Sequence, residues 1–73
     1  MKITVESKFH NREATITVKD NYKDKSIDVL GRLDYEVYNR GKDSLYASRK
    51  LAEIKRKVCG SKSCQCPITE VIL

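Results

Sequence analysis

The chain has 73 residues, of which 40% are hydrophobic and 34% charged, and its net charge is +5 at pH 7. This length predicts one domain over 1–73 and excludes a second, and no apolar run approaches the ~18 residues that a membrane span needs. A core in so short a chain rarely supplies more than about 3–5 kcal/mol, so natural domains of this size often add a metal, a disulfide or a partner.

The first residues bear on the compartment. Met1 is followed at once by Lys2-Ile3-Thr4-Val5, an alternation typical of a strand and not of a signal peptide. We therefore expect a cytoplasmic protein, in a reducing compartment where structural disulfides are rare. The count of three cysteines agrees, because three thiols cannot all pair within one chain.

Alternating residues predict two strands in the first part of the chain. Ile3 and Val5 share one parity of the first run, and Ile16 and Val18 share one parity of the second. The polar residues 8–12 between them are expected to form a hairpin connection. Residues 20–25 are a loop by composition.

The segment 26–39 is open to three interpretations. Every second residue from 27 to 37 is apolar or glycine, which favours one strand with a bulge or bend at Gly31. A hairpin with a longer connection is the second interpretation. The third is a helix over 26–39 that ends at Gly41 and has an apolar face made of Leu30, Leu33 and Val37.

The clearest element is an amphipathic helix over 43–59. Asp43 or Ser44 is its predicted N-cap, and Gly60 is the predicted residue after its end. The spacing i, i+4, i+7, i+11 forms one apolar stripe of Ala47, Leu51, Ile54 and Val58. Together the patterns predict an α+β fold: a three- or four-stranded antiparallel sheet packed on one amphipathic helix, with a Cys-rich C-terminal tail and a short edge strand over 68–73.

The cysteines at the end of the helix form the one group with a chemical interpretation. Cys59, Cys64 and Cys66 lie within eight residues, and the intervening loop is flexible enough for three thiolates to reach one ion. Zinc prefers four soft or borderline ligands in a tetrahedron, and Cys₃His is a standard structural set. We predict a structural zinc site made of these thiolates and His10, with no open position for catalysis.

Two other interpretations of these thiols stay open. They can be three reduced cysteines, or Cys64 and Cys66 can act in redox sensing. In a zinc site, Lys57 and Lys62 are expected to offset the excess thiolate charge.

The fourth metal ligand depends on topology, because His10 is the sole histidine. A single strand over 26–39 places the cysteines at the end of the sheet opposite His10, whereas a hairpin places them beside it. Histidine ligation therefore predicts a four-stranded meander plus helix. Otherwise Asp20, Asp24, solvent or a second chain completes the site.

The positive charge is concentrated in one segment. Residues 42–62 have a net charge of +5, against +1 for residues 1–41. This suits nucleic acid or an acidic protein face, although it can also be a plain solvated helix surface. Phosphate contacts would come from Arg49, Lys50, Lys55, Arg56, Lys57 and Lys62. Bases would stack on exposed tyrosines among Tyr22, Tyr35, Tyr38 and Tyr46, of which Tyr35 is expected in the core.

Catalysis is not expected. The sequence has no Ser/His/Asp set, no glycine-rich phosphate loop and no glutamate beside the thiols as a general base. A domain this thin has little room for a small-molecule substrate. The remaining classes are therefore binding proteins.

The strand run at 2–5, the helix at 43–58 and the metal-like tail at 59–66 resemble small phage-encoded anti-CRISPR proteins of the zinc-binding type. The resemblance implies a non-enzymatic inhibitor that binds a host protein, a type II CRISPR RNA-guided nuclease, and blocks its DNA loading or cleavage. Many such proteins are acidic DNA mimics, whereas this basic chain would dock on an acidic protein face. Its rim charges would be Arg49, Lys50, Arg56 and Lys57. The alternative is a small zinc-containing DNA- or RNA-binding protein that uses the basic helix 43–59.

Overall fold

A computed structural model of the protein describes residues 1–22, 26–61 and 63–71. Its elements, in chain order, are β1 (Lys2–Ser7), β2 (Arg12–Thr17), a 3₁₀ turn (Asp20–Tyr22), α1 (Val29–Tyr38), α2 (Ser44–Cys59) and β3 (Thr69–Val71). The predicted α+β class, its antiparallel sheet and its Cys-rich tail are confirmed. The structure adds a second helix, α1, to the expected one.

The sheet has the strand order β2-β1-β3, and both pairings are antiparallel. Val5 in the central strand lies opposite Ala14 on one side and Glu70 on the other. The expected edge strand is thus present as Thr69–Val71, and 72–73 lie outside the described residues. One face of the sheet is covered by the helices, because Ile16 is buried while its neighbours Thr15 and Thr17 are exposed.

Within segment 26–39 the residues Val29–Tyr38 are helical, so the helix interpretation is correct in type and both strand interpretations are wrong. The helix is shorter than predicted, and Val37 is exposed and does not belong to the buried face with Leu30 and Leu33. The Asp28 side chain caps α1 by accepting a 2.6 Å hydrogen bond from the Gly31 backbone N–H. Leu33 is fully buried. Tyr35 is 54% exposed, so the expectation that it belongs to the core is wrong. Capping and burial of one helical face therefore outweigh the alternation that favoured a strand.

Helix α2 confirms the most regular prediction. Asp43 occupies the N-cap position, although its side chain makes no capping hydrogen bond, and Gly60 ends the helix with φ of 80°. Ala47, Ile54 and Val58 are buried and Leu51 is partly buried, so the predicted stripe faces the core.

The two helices and the sheet enclose one hydrophobic core. Its buried members are Ile3, Val5, Ile16, Val18, Tyr22, Val29, Leu30, Leu33, Ala47, Ile54 and Val58. No helix within the described ranges is long and apolar enough to cross a membrane.

The direction of α2 decides which parts of the chain meet. Its N-terminal end lies beside the end of β2, where the Lys19 ammonium is 3.9 Å from the Asp43 carboxylate. Its C-terminal end lies beside the β1–β2 hairpin, where the Arg12 guanidinium approaches Gly60. The cysteines therefore reach the His10 end of the sheet. The predicted need for a four-stranded meander is wrong, because α1 supplies the extra reversal.

Candidate metal centre

His10, Cys59, Cys64 and Cys66 converge at the hairpin end of the sheet. Their ligand atoms all lie within 4.8 Å of one another, and all four residues are partly buried. The His10 Nε2 atom is 3.4 Å from the Cys64 Sγ atom, and the Sγ atoms of Cys59 and Cys66 are 2.6 Å apart. The four predicted ligands therefore form one group that can hold a metal ion.

Three separate elements position these side chains. Cys59 is the last residue of α2, and Gly60 reverses the chain in the left-handed conformation that glycine adopts at low cost. The tail turns again at Cys64, whose N–H donates to the Ser61 carbonyl at 3.2 Å. His10 belongs to the hairpin loop, where Asn11 has a positive φ of 54°.

Ser7 joins the hairpin to the cysteines. Its side chain is buried, at 1% exposure, and its Oγ atom lies 3.3 Å from Cys66 Sγ and accepts a 3.3 Å hydrogen bond from the His10 N–H. Groups that hydrogen-bond to metal ligands orient them and tune their basicity. Ser7 was not among the residues predicted for this site. Its signal is the parity of β1, because Ser7 continues the inward positions of Ile3 and Val5 with a polar side chain.

The close thiol pair differs in acidity. Burial raises the pKa of Cys59 to about 12, and the hydrogen bond with Cys66 adds to this rise. The pKa of Cys66 is lowered, because its sulfur accepts hydrogen bonds from Cys59 and then from Ser7. Cys66 therefore gives up its proton more readily than Cys59, and only a thiolate is a good metal ligand.

The alternative metal ligands and the lysines predicted to offset the thiolate charge either contact other residues or lie outside the described residues. The Asp20 carboxylate lies 2.7 Å from the N-terminal ammonium, which lowers its pKa, and it is absent from the ligand cluster. Asp24 and Lys62 lie outside the described residues. Lys57 forms an ion pair with Glu53 at 3.7 Å.

A cavity of about 390 Å³ adjoins the centre. Lys55 and Cys66 both line it, and Lys55 was not among the cations predicted to offset the thiolate charge. The remaining lining residues come from both helices and the tail: Leu30, Asp34, Leu51, Ile54, Gln65 and Ile68.

The basic face of α2 is interrupted by a carboxylate. Lys50 and Lys57 pair with Glu53 at 3.6 and 3.7 Å, which places Glu53 among the basic side chains three and four residues away. Arg49 and Arg56 are exposed and make no ion pair within the described part of the chain.

The tyrosines considered for base stacking are divided by the fold. Tyr22 is buried and Tyr46 packs on it with ring centroids 5.6 Å apart, so the expectation of stacking is wrong for Tyr22. Tyr35 and Tyr38 of α1 are exposed, at 54% and 85%.

The fold and centre define a small α+β protein with a Cys₃His cluster between a β-hairpin, a helix end and the C-terminal tail. No protein-family model matches the chain, and no curated protein or solved structure is detectably similar to it.

Proposed function

We propose that the Cys₃His cluster is a structural zinc site in a small, non-enzymatic binding protein of the cytoplasm. The observation that supports zinc is the convergence of one imidazole and three thiols from distant parts of the sequence. Borderline-soft zinc favours this donor set, and four protein ligands leave no open position for a catalytic water. The ion would stabilise the fold.

The spacing of the ligand atoms fits such an ion. In a tetrahedron with Zn–S bonds of about 2.3 Å, neighbouring sulfur atoms are roughly 3.8 Å apart, and the four ligand atoms here all lie within 4.8 Å. The Cys59 and Cys66 sulfur atoms, 2.6 Å apart, have to separate by roughly 1.2 Å to bind it. Three thiolates exceed the charge of Zn²⁺ by one, and Lys55, which lines the same cavity as Cys66, would help to offset it.

Metal content and stability test the zinc site. Untagged protein should contain about one zinc ion per chain, and Cys64→Ser should lose it. The melting temperature should then fall by roughly 10 °C or more, since ~1 kcal/mol corresponds to about 4–8 °C in a domain this small.

The matched control is Ser63→Ala, a change at an exposed site in the same loop. This variant should keep the zinc and the wild-type melting temperature. Wild-type protein without metal, whether its thiols titrate freely or its mass shows a disulfide, would overturn the zinc proposal.

The partner proposed here is a protein, and specifically the type II CRISPR RNA-guided nuclease that the resemblance implies. Glu53 among the basic residues of α2 supports this choice, because its carboxylate pairs with Lys50 and Lys57 and so reduces the positive charge that α2 offers to phosphates. Arg49, Lys50, Arg56 and Lys57 would supply rim charges. The exposed Arg49, Arg56 and Tyr38 are what favour the alternative, direct DNA or RNA binding.

Inhibition assays separate these two functions. The purified protein should block DNA loading or cleavage by a type II CRISPR nuclease, and the complex should survive nuclease treatment and moderate salt. Direct phosphate binding instead weakens by roughly 10³–10⁵-fold between 50 and 200 mM salt for 6–10 contacts. Tight, strongly salt-dependent binding to oligonucleotides without inhibition would establish the alternative.

A further inference from the structure

Three large side chains are exposed on either side of the connection between the helices. Tyr38 ends α1 and is 85% exposed, and Leu45, near the start of α2, is 65% exposed. Tyr35 lies one turn before Tyr38 and is also exposed. Single exposed apolar residues are common, but three large ones around one short connection form a feature typical of interaction sites.

Two cations lie between these apolar residues. Arg40 and Lys42 are exposed, and neither forms an ion pair within the described ranges. The one carboxylate of the connection, Asp43, faces Lys19 at 3.9 Å. The α1–α2 corner, defined as Tyr35, Tyr38, Arg40, Lys42 and Leu45, therefore combines apolar area with two cations that make no ion pair in the described residues. The nearby Glu36 carboxylate, which lies against Gly41, pairs with Arg32 at 3.2 Å.

The backbone of the corner is held in one conformation. Asn39 N–H donates to the Tyr35 carbonyl and Gly41 N–H to the Glu36 carbonyl, both at 3.0 Å. Arg40 has a positive φ of 50°, a conformation that costs any residue with a Cβ free energy and that glycine adopts freely. The conformation belongs to the end of α1, because the Arg40 N–H donates to the Val37 carbonyl at 3.3 Å just before the Gly41 hydrogen bond, a common way to end a helix.

We propose that the α1–α2 corner is the principal docking surface of the protein. It fits a protein partner whose surface has an apolar recess bordered by carboxylates. Tyr38 and Leu45 would enter the recess, and Arg40 and Lys42 would pair with the surrounding carboxylates. Tyrosine and arginine are enriched among the residues that dominate binding energy at protein interfaces.

The composition of the corner favours protein over nucleic acid. Phosphates and bases leave the aliphatic side chain of Leu45 without a favourable contact, whereas an apolar recess buries it. The Arg32 guanidinium is already 5.6 Å from the Tyr35 ring centroid, so that ring has an occupied face.

The decisive variant is Arg40→Gly, which separates binding from folding. Glycine relieves the positive φ, so the melting temperature should stay the same or rise. This inference rests on the proposed inhibition of a type II CRISPR nuclease, and in that assay inhibition should weaken at least tenfold. Tyr38→Ser and Leu45→Ser, both at exposed sites, should act similarly while zinc content is unchanged.

The control is Lys2→Gln, which removes an equal charge from the exposed start of β1. It should inhibit as the wild type does. Corner variants that inhibit fully would overturn the docking surface and leave the proposed function intact. Corner variants that lose duplex-oligonucleotide binding instead would show that the surface binds nucleic acid, and would overturn the protein partner.

If the wild type inhibits no type II nuclease, the proposed function is overturned. A photo-crosslinking experiment then tests the docking surface independently. Benzoylphenylalanine is placed at position 38 or at the exposed position 15 of the full chain, and the producing cells are irradiated. A discrete protein adduct from position 38 alone, lost with Arg40→Gly, supports the corner. Equal adducts from both positions, or none, overturn it.

Discussion

Tyr22 is a core residue with a buried hydroxyl that lacks a hydrogen-bond partner among the described residues. It is 1% exposed and packs on Tyr46. Desolvation raises its pKa, and the nearby carboxylates of Asp43 and Glu36 raise it further. The residue contributes apolar area while its hydroxyl opposes burial.

We expect Tyr22→Phe to raise the free energy of unfolding by about 1 kcal/mol at pH 7, because it removes a buried hydroxyl without a partner. In the unfolded wild type the Tyr22 hydroxyl ionises near pH ~10, whereas in the folded protein its pKa is higher. The stability of the wild type is therefore intact below that pH and falls as the pH rises above it. The variant should lack this loss at position 22. Urea unfolding from pH 7 to 11 measures both effects, and a less stable variant would contradict them.

The roles of Ser7 and Gly60 differ in how far the sequence predicted them. Gly60 follows a regular helix, so its role in reversing the chain was predicted and is confirmed by its φ of 80°. Ser7 is one of several serines, and only the convergence of β1 with the tail places its hydroxyl 3.3 Å from Cys66.

At the scale of elements, β3 ties the tail to α1. Glu70 lies opposite Val5 in the sheet, and its carboxylate accepts a 3.0 Å hydrogen bond from the Val29 N–H in the first turn of α1. The first N–H groups of a helix have no partner within it, and a carboxylate there also suits the helix dipole. A strand residue thus completes a helix that begins more than forty positions earlier.

We expect Glu70→Ala to lower the free energy of unfolding by about 1 kcal/mol, the usual size of a lost helix-capping interaction. Glu70→Gln should lose less, because its amide oxygen still accepts the Val29 hydrogen bond. Chemical unfolding of the three proteins gives the comparison. Equal losses in both variants would show that the charge matters and the hydrogen bond does not.

The helices differ in how far their sequences specified them. α2 extends over 16 residues with one regular apolar stripe. α1 has 10 residues and exposes Tyr35 and Val37, two residues that also fit an alternating strand. Its helical state follows from capping by Asp28 and Glu70 and from burial of Leu33. The Asp28 cap is local, whereas the Glu70 cap is a tertiary contact.

At the scale of the whole molecule, the metal centre joins the hairpin, the end of α2 and the tail. Binding energy at such a site is folding energy, because the ligands are scattered in the unfolded chain. Besides these ligands, the tail is held by the short β3 pairing, by the Glu70–Val29 hydrogen bond and by partly buried Ile68. In the proposed zinc-bound protein, loss of the ion should therefore affect β3 before α2.

Removal of the proposed zinc ion with a strong chelator should accelerate amide hydrogen exchange in Thr69–Val71 by at least tenfold, while the middle of α2 stays more protected. The reason is that β3 follows directly on two ligands and has only three residues, so it opens locally at low cost. Exchange measured residue by residue by NMR tests this. Uniform acceleration would mean that the metal supports the whole fold as one unit.

The sequence by itself determined the elements whose pattern is local and the donors that could hold a metal. These are the first two strands, α2 with its glycine end, and the set His10, Cys59, Cys64 and Cys66. Only the tertiary structure decided that these donors meet, since that depends on the number of chain reversals between β2 and α2. It likewise decided the state of 26–39, the partner of Cys66 at Ser7 and the exposure of Tyr35. Each of these follows from long-range contacts, which no local pattern of residues encodes.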